Sequence, residues 1–170
     1  LDVDDNVLHD TAVDIRVLPH PVANSVRREI AVLGAPDGAA ANLARDLAFD
    51  PQTWQPSQSV PATILIDDVA AAIAQAEDLR AAVRQGAVVV IRDVPPGRHV
   101  LLTDPIEGKA CPMGPVHFVS RATGHPLVAD LEPDDFKFWS DAATGHPTPL
   151  LEATFTADGW TPILTSGNDY

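Results

Sequence analysis

Cysteine is nearly missing from this sequence. Cys111 stands alone, which excludes an internal disulfide, a cysteine zinc cluster and a Cys-x-x-Cys redox pair, and leaves the compartment undetermined. Lysine is almost as scarce: only Lys109 and Lys137 occur among 11 basic residues, which face 24 acidic ones for a formal charge of −13. The arginines are scattered and form no stripe. Polyanions bind through clustered Lys and Arg that displace counterions, so neither nucleic acid nor an anionic membrane surface is expected as a partner. No apolar run approaches the roughly 18 residues of a spanning helix, and the amino terminus has no basic region followed by a hydrophobic stretch. The chain reads as soluble, without a targeting segment.

What is present suffices for one core: 170 residues, 45% of them hydrophobic, match a single domain. The opening is strewn with Asp2, Asp4, Asp5, Asp10 and Asp14 and has no initiator Met, and Gly167-Asn168-Asp169-Tyr170 forms no terminating element. The chain is therefore read as a piece of something longer. Residues 1–27 are expected to be a linker or the tail of a preceding domain, with one alternating stretch from Ala12 to Leu18, and residues 28–170 an α/β domain.

Within that domain Glu29 to Leu33 reads as a strand, Gly34-Ala35-Pro36-Asp37-Gly38 as a turn, and Ala39 to Leu47 as a helix. The clearest unit follows. Ala62 to Ile66 is a buried strand, and Asp67 and Asp68 can cap the next helix, whose face is Val69, Ile73, Ala76, Leu79 and Val83. Gly86 ends that helix. Ala87 to Ile91 is apolar on both faces, as in a parallel sheet covered by helices on both sides. Later, Glu132-Pro133-Asp134-Asp135 reads as a helix start leading into Phe136, Phe138 and Trp139. Glu152 to Thr156 and Trp160 to Leu164, flanking Ala157-Asp158-Gly159, predict a hairpin whose second arm is weakened by Pro162. Ala122-Thr123-Gly124-His125-Pro126 is echoed as Ala143-Thr144-Gly145-His146-Pro147.

Asp67, Asp68 and Asp93 fall where parallel strands end, the place where open α/β sheets bind ligands, although an Asp before an apolar helix is ordinarily its cap. The Gly34–Gly38 loop is placed to receive an anion at a helix start, but it lacks the Gly-x-Gly-x-x-Gly and Gly-Lys-Ser/Thr patterns of phosphate sites. Cys111 with His117 or His125 is not a nucleophile elbow, since Lys109 stands two before the thiol and Pro112 directly after it. His117, His125 and His146, with Asp130, Asp134 or Asp141, show no metal-ligand spacing, and Gly-His-Pro is turn chemistry. Glu29, Glu77, Glu107, Glu132 and Glu152 are isolated. Trp54, Phe136, Phe138, Trp139, Phe155 and Trp160 could stack on a sugar or anchor a core. The residues kept as ligand-binding candidates are Asp67, Asp93, Trp139 and Trp160; no catalytic residue, metal or cofactor is expected.

From His125 onward a resemblance appears. His125-Pro126-Leu127, Leu131, Pro133-Asp134-Asp135-Phe136-Lys137-Phe138-Trp139, Glu152-Ala153-Thr154-Phe155 and Gly159-Trp160-Thr161-Pro162-Ile163-Leu164-Thr165-Ser166-Gly167 resemble an accessory region of bacterial family 2 glycoside hydrolases, the β-galactosidase and β-glucuronidase type. The βαβ unit before it is compatible with the class I glutamine-amidotransferase-like, flavodoxin-like domain that some glycosidases carry. The resemblance covers about a quarter of the chain, and its motifs are structural. It implies a parallel sheet flanked by helices with a C-terminal β-hairpin. It also implies a degenerate, non-catalytic version of that fold, because the catalytic glutamates belong to a separate barrel and Cys111 departs from the amidotransferase pattern. Three readings follow: a structural or assembly domain of a multidomain glycosidase, a carbohydrate-binding module using an exposed Trp, and a cysteine-dependent amidotransferase-like hydrolase. The partners implied are other domains of the same polypeptide, a second copy of the chain, and carbohydrate.

Overall fold

A computed structural model describes residues 2–3, 6–7, 29–56, 59–102, 105–110, 120, 123–136, 139–141, 143–148 and 153–165. Most of the expected linker 1–27 lies outside the described residues, as do the Ala12–Leu18 stretch, Cys111, His117, Lys137, Phe138 and Glu152. Of that linker only β1 (Asp2–Val3) and β2 (Asn6–Val7) are described, paired antiparallel.

The domain is a mixed α/β structure. Its parallel sheet is built from β3 (Ile30–Leu33), β4 (Gln52–Thr53), β5 (Thr63–Ile66) and β6 (Val88–Ile91), in the order β4-β3-β5-β6. Helix α1 (Ala39–Asp46) connects β3 to β4, and α2 (Val69–Ala74) with α3 (Ala76–Arg84) connects β5 to β6. Side chains alternate across a strand, so the two faces sort by parity. Ile30, Val32 and Leu65 pack with Ala40, Ala41 and Ala44 of α1. On the other face Ala31, Leu33, Ile64 and Ile66 pack with Trp54 and with Ala72, Leu79 and Ala82 of α2 and α3.

The helical face differs from the one periodicity gives. Ala72, Leu79 and Ala82 are buried, while Ile73 and Val83 point to solvent. Alanine lets the helix lie close to the sheet, and the larger side chains at 73 and 83 are turned outward. The expected single helix is also two, meeting at Gln75. A second correction concerns β6. It is an edge strand, and Val88 and Val90, on the α1 side of the sheet, are 57% and 43% exposed. Its apolar run does not mean cover on both faces here.

Both α1 and α3 stop in the same way. The amide of Phe49 donates to the Ala44 carbonyl and that of Ala48 to Arg45 (2.9 and 2.8 Å); the amides of Ala87 and Gly86 donate to Ala82 and Val83 (3.1 and 2.9 Å). This paired arrangement needs a left-handed residue after the helix. At the end of α3 it is Gly86, φ +100°, as the sequence predicts; at the end of α1 it is Ala48, φ +62°. A Cβ in that region is strained. Ala48→Gly is therefore expected to raise stability by about 0.5 kcal/mol and Gly86→Ala to lower it by about 1 kcal/mol, read as opposite shifts of the urea midpoint.

Beyond β6 an antiparallel sheet forms from β7 (Gly97–Val100), β8 (Pro105–Ala110) and β9 (Ala153–Thr156), in that order. The expected hairpin is thereby corrected. Its first arm is β9 and Gly159 turns with φ +77°, but β9 pairs with β8, and residues 160–164 form no strand. Pro162 has no amide to donate and the pairing moves to the other partner. Gly108 of β8 lies under the Phe155 ring, where a Cβ would approach Cε1 to 2.4 Å. The expected helix start at Pro133 is a 3-10 turn, Pro133–Phe136, which buries Phe136.

Within the two Ala-Thr-Gly-His-Pro segments the Thr-Gly-His residues share a conformation. Gly124 and Gly145 have φ +66° and +68°, and the Thr123 and Thr144 hydroxyls accept the amides of His125 and His146 at 3.3 and 3.4 Å. Both histidines are thus turn residues, as Gly-His-Pro predicts. His125 Nδ1 in turn accepts the Leu127 amide at 3.2 Å and caps a 3-10 turn. In the second copy the Thr144 hydroxyl and amide hold the Asp141 carboxyl below its ordinary value, aided by the Ala143 amide.

Candidate functional site

In a sheet ordered β4-β3-β5-β6 the chain leaves β3 toward one side and resumes on the other with β5. A crevice is expected where the connections diverge, at the carboxyl ends of those two strands. The register Leu33↔Ile66 puts the next residues, Gly34 and Asp67, side by side at that point.

Asp67 fills the crevice with its own side chain. Its Oδ2 accepts the amide of Ala40, in the first turn of α1, at 2.8 Å. Gly38 precedes α1 and has no side chain to cap it, so the cap comes from 27 residues further along the chain. The carboxylate sits on the positive end of the helix dipole, where a phosphate would sit in a nucleotide-binding loop. The two glycines make room for it: a Cβ on Gly34 would lie 1.8 Å from Asp67 Oδ1, and one on Gly38 2.6 Å from Oδ2. The loop that the sequence offers as an anion receptor does receive an anion, and that anion is internal.

The other acids at this end of the sheet are also engaged. Asp68 caps α2, its Oδ1 accepting the Ala71 amide at 2.9 Å. Asp93, left-handed at φ +56°, pairs with Arg92 at 3.0 Å, and Arg92 donates to the Ala39 carbonyl at 3.2 Å. Asp67, Asp68 and Asp93 line one shallow depression together with Ala35, Val69 and Pro95. Its lining among the described residues has no histidine, cysteine, lysine or hydroxyl. Among the described residues no three His, Cys, Asp or Glu side chains come together as a metal would require. Asp67 and Asp93 thus meet, but as helix cap and ion-pair partner.

The tryptophans stand elsewhere. Trp139 is 53% exposed and its Nε1 donates to the Asp135 carbonyl at 2.6 Å. Trp160, 48% exposed, lines a groove against α3 formed with Arg80, Val83, Arg84 and Leu102. That groove was missed from sequence, because Trp160 meets α3 only through the tertiary fold. Its one signal was Val83, an apolar residue on a helical face that the core does not use. A more enclosed hollow of about 490 Å³ lies beside the amino ends of β3 and β4, lined by Phe49, Asp50, Gln52, Trp54 and Ser59 among others. It sits at the opposite end of the strands from the crevice.

Among the described residues no helix is long and apolar enough to cross a membrane. No known family profile, no curated protein and no solved structure matches this chain at a significant level.

Proposed function

We propose that this chain is a non-catalytic structural or assembly domain of a multidomain glycoside hydrolase, with a flavodoxin-like, amidotransferase-related sheet. The observation that carries the non-catalytic reading is the Asp67 carboxylate, seated where an α/β enzyme of this strand order would hold its ligand. The strand order, equivalent to 2-1-3-4 counted within the parallel sheet, supports the flavodoxin-like assignment. The motifs between His125 and Gly167 support the glycosidase context. Val88 and Val90 on the open edge of the sheet favour a neighbour, since an uncovered apolar edge strand is a site for association.

Two measurements test this. The chain on its own is expected to hydrolyse neither aryl galactosides, aryl glucuronides nor glutamine, and turnover that follows the purified protein would overturn the non-catalytic reading. The coding sequence on either side of residues 1 and 170 is expected to encode a barrel with paired glutamates. A reading frame without one would remove the glycosidase context.

A further inference from the structure

We infer that the groove between α3 and Trp160 is a docking site for an acidic peptide segment, one that presents a large apolar side chain beside a carboxylate. Its lining is an anomaly in this molecule. The chain has 24 acidic and 11 basic residues, yet the described residues that line the groove include Arg80 and Arg84 and no acid. Arg80 is held in place, its Nε donating to the Leu102 carbonyl and its Nη1 to the Glu77 carboxylate. Arg84, one turn further along α3, has no partner among the described residues. Opposite stands the half-exposed indole of Trp160, with Val83 and Leu102 completing an apolar surface.

Exposed Trp and Arg are the side chains that most often dominate protein interfaces, the first by apolar area and the second by its fork of donors. The same composition argues against a sugar. A pyranose brings several hydroxyls that need partners, and with Arg80 engaged the side chains left for them among the described residues are Arg84 and Thr161. One carboxylate on Arg84 and one apolar group on Trp160 match what the groove offers. The charge of −13 opposes an acidic partner little from afar, because screening confines the field of each charge to about 8 Å at physiological salt. Inside the groove the local cations decide. This deepens the assembly reading, on which it rests for the partner being another protein segment.

The test is a titration of the whole chain by ¹⁵N NMR with the peptide Ac-Gly-Asp-Phe-Asp-Gly-amide, beside its Lys-for-Asp and Ala-for-Phe counterparts and galactose. The acidic peptide is expected to shift the Trp160 indole and the α3 amides of residues 80–84 saturably. Arg84→Gln and Trp160→Ala should each weaken it at least about fivefold, and Trp139→Ala should leave it unchanged. Arg84 is exposed on a helix, so its variant keeps the fold and serves if Trp160→Ala does not. Equal binding of the basic peptide, indifference to Arg84→Gln, no saturation, or a response to galactose centred on Trp160 would each overturn the proposal. Failure here leaves the turnover and flanking-sequence tests of the assembly reading untouched.

Discussion

Gly34→Ala is expected to destabilise the domain by about 3 kcal/mol or more, and most of that loss is expected to vanish when Asp67 is also alanine. The new methyl would lie 1.8 Å from Asp67 Oδ1, far inside van der Waals contact. Asp67 has a short side chain held at its other oxygen by the Ala40 amide, so it cannot step aside without abandoning α1. Removing the carboxylate alone should cost about 1–2 kcal/mol, the usual loss for an N-cap. In the double variant the clash disappears, leaving the cap loss and the backbone term at Gly34, φ +155°. Urea unfolding of the four proteins gives the coupling directly. Simple additivity would mean that Gly34 is required by its backbone alone and that the loop is not built around Asp67.

This pair also shows where sequence reading stops. The βαβ unit was legible because Thr63 to Ile66 and Val88 to Ile91 are short apolar runs around an amphipathic segment ending at Gly86, all local signals. Asp67 was legible as a residue after a strand that could cap the next helix; Asp68 takes that cap on α2, and Asp67 turns to α1 instead. Its role depends on the β3–β5 register, which sets it beside Gly34 although 33 lies far from 66 in the chain. The same limit explains β7 and β8, where Gly97, Pro105 and Gly108 argue against strands until Phe155 covers Gly108. It explains β9 as well: the Ala157-Asp158-Gly159 turn was visible, but the choice of β8 as partner was not. Of the candidate site, Asp67 and Asp93 could be named without their jobs, and Trp160 could be named without α3 as its neighbour.

Leu79→Ala carries the second large effect, an expected loss of about 3 kcal/mol. Leu79 is wholly buried, on the face of α3 turned toward Ile64 and Ile66. Its helical neighbours in the core are Ala72 and Ala82, which have no side chain long enough to fill the space left behind. The sheet beneath is fixed by pairing on both sides of β5, so the site can collapse little, and the cost stays within the range for such cavities. Leu79→Met, nearly equal in volume, should cost less than about 1.5 kcal/mol. Val88→Thr and Val90→Thr supply the contrast. These valines look as central in the sequence as the residues of β5, yet they face outward on an edge strand, and each change should fall within about 0.5 kcal/mol. Thermal or urea unfolding of the four variants separates the two surfaces. A loss near 2 kcal/mol at Val88 or Val90 would show that the open face is covered in solution, and a loss below about 1 kcal/mol for Leu79→Ala would remove α3 from the core.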